Sequence, residues 1–134
     1  YNDKQAAKVK KYKTEIKEFR AVLFKFESYK AYVAYCEKYG DEKGDKIIDV
    51  MQNVIEENLS EEETAILLDE DNILAVLRKQ DYKIKCEIIA NMFRNRMQEY
   101  YQKEDIEKGY IEGKNKHGEK KKYPLINICS ERVV

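Results

Sequence analysis

The sequence is poor in the residues that form the most recognisable metal and redox sites. It contains one histidine, His117, and three widely spaced cysteines, Cys36, Cys86 and Cys129, none of which forms a Cys-x-x-Cys pair. A zinc site therefore lacks ligands. Three cysteines far apart in the chain are most simply reduced thiols, so we expect a cytoplasmic protein.

Net charge and long apolar runs are also absent. The 26 Lys and Arg residues are balanced by 26 Asp and Glu residues, and no apolar run approaches the length of a membrane span. Nucleic-acid binding needs a basic surface, and a membrane-spanning helix needs about 20 apolar residues. No signal-peptide pattern opens the chain either. We therefore expect neither a nucleic-acid partner nor membrane insertion of this domain.

The composition is that of one globular domain. Of the 134 residues, 43% are hydrophobic and 39% are charged, which is enough apolar material for one core beneath a heavily charged surface. The chain begins at Tyr1 rather than at methionine and stops abruptly at Val134. We expect residues 1–134 to form a single domain and to be a piece of a longer protein.

Hydrophobic periodicity predicts alternating helices and strands. Apolar residues three and four positions apart indicate helices, and short runs rich in β-branched and aromatic residues indicate strands. One sheet wrapped by helices is the economical packing, so we predict an α+β fold with about five mainly antiparallel strands. The predicted elements are helix 4–19, strand 20–26, helices 29–40 and 44–58, strands 64–68 and 73–77, helix 80–102, and a hairpin over 109–130.

Single residues add detail to these elements. Gly40 is expected to end its helix and Asp45 to cap the next one. The stretch PLINI (124–128) is expected to be the last inner strand, with Pro124 at its start, where a missing donor is tolerated. The 64–77 hairpin is expected at the sheet centre, and the lysines near 116–122 at a solvated hairpin tip. The residues expected to face the core from the longest helix are Ile84, Ile88, Met92 and Phe93.

An acidic turn raises the main question about function. Residues 66–77 read ILLDEDNILAVL, in which Asp69, Glu70 and Asp71 precede Asn72. Three neighbouring carboxylates could hold a hard cation, because such ions prefer oxygen ligands. On its own, the same cluster is more often a solvated turn, since Asp and Asn tolerate turn dihedral angles. The residue types alone leave both interpretations open.

The order of elements, with an acidic turn after the second strand, resembles the GGDEF domain of diguanylate cyclases. The stretch YCEKYGDEKGDKII (35–48) is similar to the family's sequence after its first strand, and Gly40, Gly44 and Asp45 keep the family spacing. The turn at 69–72 lies where the family's Gly-Gly-Asp-Glu-Phe hairpin lies. The resemblance implies a ferredoxin-like βααββαβ core within a bacterial signalling protein.

The most specific likeness lies in DIEKGYIEGKNKHGEKKKYPLINI (105–128). It is similar to a GGDEF subgroup that carries Gly-Tyr-Ile, then a Lys/Arg-Gly tip, then a Pro-Leu strand. The resemblance covers nearly the whole chain, but the family's usual opening, a Leu-Thr-Gly-Leu-Pro-Asn-Arg stretch ahead of the first strand, is missing.

Members of the family condense two GTP molecules into cyclic di-GMP, using divalent ions that carboxylates hold. On this resemblance, the signature Gly-Gly-Asp-Glu falls on Asp69, Glu70, Asp71 and Asn72. Acidic side chains thus replace the two glycines that let the backbone pass close to the triphosphate. A neutral amide replaces the metal-binding glutamate. This turn is therefore expected to be a vestige of the catalytic signature.

The metal-binding aspartate of the family's first strand falls within residues 25–27. If the position is Lys25, a cation stands where a Mg²⁺ ligand should be. Glu27 is the one carboxylate in the stretch, so Glu27 and Asp71 are the candidate metal ligands.

The nucleotide-binding positions are altered as well. The guanine-reading Asn-Asp pair falls on Cys36 and Glu37, which with Asp45 form the vestigial nucleotide site that the resemblance implies. Cysteine cannot make the paired amide contacts with a base. The product-inhibition motif, Arg-x-x-Asp, falls on 60–63 and lacks its arginine, so bidentate recognition is lost. Without that role, the glutamates at 61–63 predict a charged surface, and Ser60 with Glu63 fits a capping box.

These losses predict a degenerate GGDEF domain that makes no cyclic di-GMP, needs no cofactor and serves as a signalling or regulatory module. Its expected partners are GTP or cyclic di-GMP, other domains of the same chain, or a second copy. The alternative is an active diguanylate cyclase or another metal-dependent nucleotide enzyme, which would need Mg²⁺. A third hypothesis is a structural partner that pairs through helix 29–39 and binds no ligand.

Overall fold

An antiparallel sheet organises the part of the chain that the structure describes, which is residues 2–7 and 18–133 of a computed structural model. Residues 3–7 are helical. The strands are β1 (Phe19–Phe26), β2 (Thr64–Asp69), β3 (Asn72–Arg78), β4 (Tyr110–Lys114), β5 (Lys120–Pro124) and β6 (Ile128–Val133). The helices are α1 (Tyr29–Tyr39), α2 (Asp41–Glu57), α3 (Tyr82–Met97) and α4 (Lys103–Lys108), with a 3₁₀ turn at Gln98–Tyr100.

The main sheet has the strand order β2-β3-β1-β6, and every neighbouring pair is antiparallel. Strand β3 therefore lies between β1 and β2, which is the order of a ferredoxin-like sheet. The predicted α+β class and antiparallel pairing are confirmed. The predicted count of about five strands differs, because the described residues form four strands in this sheet and pair β4 with β5 in a second one. The predicted central position of the β2–β3 hairpin holds for β3 but not for β2, which is an edge strand.

Alternation along β1 sends side chains to both faces of the sheet. Val22, Phe24 and Phe26 face the helices and join the main core. Ala21 packs with Leu74 on the opposite face, in a smaller cluster. The largest fully buried side chains of the main core include Tyr35, Phe24, Phe93, Ile47, Met51, Ile55 and Leu77. The core therefore sits between the sheet and helices α1, α2 and α3.

Gly40 separates α1 from α2. Its φ of 100° lies in the region that favours glycine, and its N–H donates to the carbonyl of Cys36 at 2.8 Å. The prediction that the first of these helices ends at Gly40 is confirmed. The predicted capping role of Asp45 is wrong, because α2 begins at Asp41 and leaves Asp45 exposed one turn inside the helix. Acidic residues in the first turn of α2 complement the helix dipole.

Helices α1 and α2 approach closely at Gly44. A Cβ atom at this position would overlap the Sγ of Cys36 and lie 3.3 Å from the Tyr32 hydroxyl oxygen. We predict that Gly44→Ala lowers the free energy of unfolding by about 1–2 kcal/mol, because the overlap outweighs the roughly 1 kcal/mol that alanine gains as a helix former. Urea unfolding followed by circular dichroism measures this change.

Cys36→Ala provides the control for this contact. Removing the sulfur opens room for the new methyl group, so Gly44→Ala is expected to be stabilising, or neutral, when it is made in the Cys36→Ala background. Equal effects of Gly44→Ala in both backgrounds would contradict the proposed close contact.

The long helix is shorter than predicted and is followed by a second one. Helix α3 ends at Met97, the 3₁₀ turn follows, and α4 then begins at Lys103. Ile89, Phe93 and Met97 are buried, each one turn from the next, so they form the core-facing stripe. The prediction of Phe93 as a core residue is confirmed, and the helix over 103–108 was not predicted.

Two of the predicted core residues of α3 lie on its other side. Ile84 and Ile88 are 62% and 44% exposed, so their assignment to the core is wrong. Met92 is half-buried and packs against the core. The cause is the 100° step of a helix: a stripe through position 89 leaves 84 and 88 outside it.

The C-terminal strands also differ from the prediction. The hairpin over 109–130 is confirmed in its β4–β5 part, and its tip includes Gly118 in a left-handed conformation with φ of 77°. The stretch 124–128 is not a strand. Pro124 instead ends β5, opposite Tyr110, and the last strand begins at Ile128.

The predicted helix 4–19 lies mostly outside the described residues. Residues 3–7 agree with it, whereas Phe19 belongs to β1 rather than to a helix. Within the described ranges, each helix is too short or too polar to cross a membrane.

Candidate functional site

The acidic turn between β2 and β3 is held by its own side chains. The N–H of Asp71 donates to Oδ1 of Asp69 at 3.1 Å. The side-chain amide of Asn72 donates to both oxygens of Asp69, at 2.8 and 3.1 Å, and to Oδ1 of Asp71 at 3.2 Å. Glu70 is exposed at the tip. Asn72 therefore supplies hydrogen-bond donors where a bound cation would need free carboxylate oxygens.

The two aspartates of this turn differ in acidity. The hydrogen bonds from Asn72 hold the pKa of Asp69 below its ordinary value, against the opposing effect of burial. Burial raises the pKa of Asp71, and the adjacent Asp69 carboxylate raises it further. Asp69 thus keeps its negative charge to lower pH than Asp71 does.

The β1 residue directly across from the turn is a cation. Lys25 pairs with Asn72 on β3 and with Cys129 on β6. Its ammonium Nζ contacts Oε1 of Glu131 at 3.2 Å, on the β6 side of the strand. The β1 position that faces the 69–72 turn is therefore occupied by a lysine whose ammonium group is paired with β6.

Glu27 follows the end of β1 and is exposed. Its backbone N–H donates to the carbonyl of Asn127 at 2.9 Å. Among the residues that the structure describes, no three His, Cys, Asp or Glu side chains gather in an arrangement that could hold a metal ion. Glu27 and Asp71 stay a predicted pair of ligands.

The three predicted nucleotide-binding residues do not share one pocket. Cys36 faces α2, where its sulfur abuts Gly44, and burial raises the pKa of its thiol. Glu37 is exposed on another side of α1 and lines a cleft between α1 and the β4–β5 hairpin. Asp45 is exposed on α2. The fold thus separates Cys36 from Glu37, although they are neighbours in sequence.

Glu63, the last residue of the stretch 60–63, is buried rather than part of a charged surface as predicted. Its side chain is fully buried and accepts hydrogen bonds from the backbone N–H of Ser60 at 2.9 Å and of Arg78 at 2.8 Å. It also pairs with Lys85 on α3. The Ser60–Glu63 contact of a capping box forms, but it leads into β2 instead of a helix. Through these bonds, Glu63 links the start of β2 to β3 and α3.

The cleft beside α1 was not predicted from the sequence. It has a volume of about 550 Å³ and lies between α1 and the β4–β5 hairpin, whose lysines were expected at a solvated tip. Gly113 inside β4 was the one local signal, because a strand glycine often marks a close approach. The residues that line the cleft are Tyr29, Lys30, Val33, Ala34, Glu37, Lys114, Asn115, Lys116, His117, Lys121 and Tyr123.

Comparisons with known proteins place the fold. No protein-family model matches the sequence. No curated protein matches it either. Among solved structures, the chain is similar to the GGDEF domain of DgcB from Caulobacter crescentus, crystallised in complex with c-di-GMP. The similarity has a TM-score of 0.57 with 11% sequence identity, and it covers 96% of this chain and 66% of that chain. At this identity the likeness shows a GGDEF-like fold, and this chain spans about two thirds of that chain's length.

Proposed function

We propose that this chain is a degenerate GGDEF domain that is catalytically silent and acts as a regulatory module in cytoplasmic cyclic di-GMP signalling. The observation that supports it most directly is the β2–β3 turn. In a GGDEF-like fold this turn carries the signature, and here its aspartates accept hydrogen bonds from Asn72.

The residues at the turn do not suit magnesium. A divalent ion in such a site needs several free carboxylate oxygens in fixed geometry. Asn72 occupies oxygens of both aspartates, and the facing position of β1 carries Lys25 instead of a carboxylate. Without the ions, nothing in this turn neutralises the phosphates of GTP or activates a hydroxyl group. Each such loss typically removes orders of magnitude in rate.

The replacement of the two glycines also argues against catalysis at this turn. Asp69 and Glu70 put side chains and negative charge where the family's backbone is bare, so a triphosphate would be repelled electrostatically. The fixed charge of Asp69, whose pKa is lowered, maintains this repulsion at neutral pH. GTP and cyclic di-GMP remain the proposed regulatory ligands, together with other domains or a second copy of the chain.

We predict that the purified domain forms no cyclic di-GMP when it is incubated with GTP and either Mg²⁺ or Mn²⁺. Mass spectrometry of the nucleotide products checks this, with an active diguanylate cyclase in the same buffer as the positive control. Product that disappears in an Asp71→Ala variant would overturn the proposal and make the chain an enzyme. Product that persists in that variant would come from a contaminant and would leave the expected result standing.

A further inference from the structure

The cleft between α1 and the β4–β5 hairpin has a floor of small and apolar residues. On α1, Val33 and Ala34 line it, and on the hairpin Gly113 lies across from Ala34. A Cβ atom at Gly113 would come within 3.1 Å of the Tyr123 ring and 3.8 Å of the Ala34 Cβ. Gly113 does not have a positive φ, so no backbone conformation demands a glycine there. The missing side chain instead lets β4 lie close to the Tyr123 ring and to Ala34, which line the floor of the cleft together with Val33.

Positive charge surrounds this floor. Lys30 on α1, Lys114 at the end of β4, Lys116 in the tip and Lys121 on β5 line the cleft, and Glu37 is the one acidic residue among the lining side chains. The cleft is therefore clearly basic, although the whole chain has a formal net charge of zero. Such local concentration of one sign attracts anions into a concave site.

The tip of the hairpin holds its lysines in a defined loop. Oδ1 of Asn115 accepts hydrogen bonds from the backbone N–H groups of His117 at 2.9 Å and of Glu119 at 3.1 Å. The carbonyl of Asn115 also accepts from Gly118 at 2.9 Å. This turn fixes the backbone on both sides of Lys116, so the rim of the cleft has a set shape.

An aromatic stack ends in the cleft. The rings of Phe26 and Tyr32 are stacked at 4.6 Å with an interplanar angle of 13°, and Tyr29 continues the stack at 6.0 Å and 17°. Tyr29 lines the cleft and is 54% exposed, which is unusual for a large aromatic residue on a packed helix. The two inner rings fix the orientation of Tyr29, so it presents a pre-set surface to a planar ligand.

We propose that this cleft binds a nucleoside polyphosphate, with its base against Tyr29 and its phosphates among the lysines. A volume of about 550 Å³ suits a small molecule. Lysine binds phosphate as a point charge, and a base gains by stacking on an exposed aromatic ring. A plain anion would use the lysines but not the stack. The proposal does not depend on the function proposed for the 69–72 turn, which lies outside this cleft.

Calorimetry with ATP and with GTP tests the proposal, using Tyr29→Ala and Lys121→Gln as the altered proteins. Each substitution is expected to weaken binding about tenfold, while Tyr29→Phe, which keeps the ring, stays close to the unmodified protein. Lys122→Gln is the matched control. It removes the same charge from the next residue of β5, whose side chain alternates to the other face of the hairpin and lies 4.7 Å from the Tyr110 ring. Circular dichroism confirms that each variant is folded.

Four results would overturn the proposal. The first is the absence of heat for both nucleotides at about 1 mM, where even weak sites bind measurably. The second is tripolyphosphate binding as tightly as ATP, which would reduce the cleft to an anion-attracting surface. The third is a single-stranded oligonucleotide binding more tightly than either nucleotide. Nucleotide binding that responds to Asp71→Ala but not to Tyr29→Ala would also reject this cleft, while leaving the turn as a regulatory nucleotide site.

Discussion

Replacing Glu63 with alanine is expected to lower the free energy of unfolding by about 3–5 kcal/mol, because the substitution leaves a buried ion pair without its acid. Lys85, whose side chain is 18% exposed, would lose its counter-ion. The backbone N–H groups of Ser60 and Arg78 would lose their acceptor. Since the three donors come from the loop before β2, from β3 and from α3, the loss loosens all of these elements together. Urea unfolding at neutral pH, followed by circular dichroism, measures the change.

The neighbouring Glu62 is the matched control. It has the same side chain and pairs with Arg78, but it is 59% exposed, so its pair is screened by water. Glu62→Ala is expected to cost about 1 kcal/mol or less. Equal losses of unfolding free energy for Glu62→Ala and Glu63→Ala would contradict the buried ion pair of Glu63. They would mean that Glu63 behaves as a surface residue, as the sequence suggests.

The same carboxylate makes a prediction about pH. Burial alone would raise the pKa of Glu63, but its hydrogen bonds with Lys85 and with the backbone of Ser60 and Arg78 lower it below the ordinary 4.5. A carboxylate whose pKa is lower in the folded state stabilises the fold above its unfolded pKa, and this contribution is lost as the pH falls through the folded value. The stability of the unmodified domain should therefore fall more steeply below pH 4.5 than that of Glu63→Gln.

The elements that the sequence predicted well are those with local signals. Gly40 after a helical pattern marks a stop that needs no knowledge of the rest of the fold. Strands β2 and β3 follow from two short apolar runs on either side of a polar turn at 69–72, and the structure places them within two residues of the prediction. The GGDEF-like order of elements follows from such local patterns in sequence.

The wrong predictions concern contacts between distant segments. Nothing near Glu63 indicates that Lys85 will reach it, so three consecutive glutamates suggested only a charged surface. Helix α3 contains isoleucines on both sides, and a count of apolar residues could not tell that Ile89 faces the core while Ile88 does not. The side of α3 that is buried depends on how the helix packs on the sheet. The strands of that sheet come from before and after α3 in the sequence.

At the candidate site, too, local features were predictable from the sequence and contacts between distant segments were not. The position of the acidic 69–72 turn was predictable, because it lies within one hairpin. The hydrogen bonds of Asn72 to the two aspartates were not foreseen from sequence, since their formation depends on the geometry that the hairpin gives its turn. The basic cleft is lined by both Tyr29 of α1 and Lys121 of β5, which are far apart in sequence. Only the packing of the hairpin on α1 brings them to the same cleft.

That packing depends on Asp105, the residue whose replacement is the second prediction with a large effect. Asp105 lies in the first turn of α4, the short helix before β4, and its side chain is 3% exposed. Both of its oxygens accept from Lys38 Nζ at 2.8 Å, and one accepts from the Tyr39 hydroxyl group. The Tyr39 oxygen in turn accepts from the N–H of Gln102 at 2.9 Å. This network joins the last turn of α1 to the segment that leads into the hairpin.

The protonation states in this network suit its structural role. Burial and the hydrogen bond to Asp105 raise the pKa of Tyr39 to about 12, so its hydroxyl group remains a donor at neutral pH. Burial alone would raise the pKa of Asp105, but Lys38 and Tyr39 lower it below the ordinary 3.8. The carboxylate therefore contributes its stabilisation above about pH 4 and loses it as the pH falls through its lowered pKa.

Asp105→Ala is expected to lower the free energy of unfolding by about 2–3 kcal/mol. The cost is less than at Glu63, because Lys38 is 37% exposed and water can solvate its ammonium group once the acid is gone. Glu104→Ala, in the same turn but exposed, is the matched control and should cost about 0.5 kcal/mol or less. Hydrogen exchange supplies a local readout. The β4–β5 amides should exchange much faster in Asp105→Ala, whereas exchange of the β1–β3 amides should be accelerated only by the loss of global stability. Equal acceleration in both sheets would mean that Asp105 stabilises the whole domain without holding the hairpin on α1.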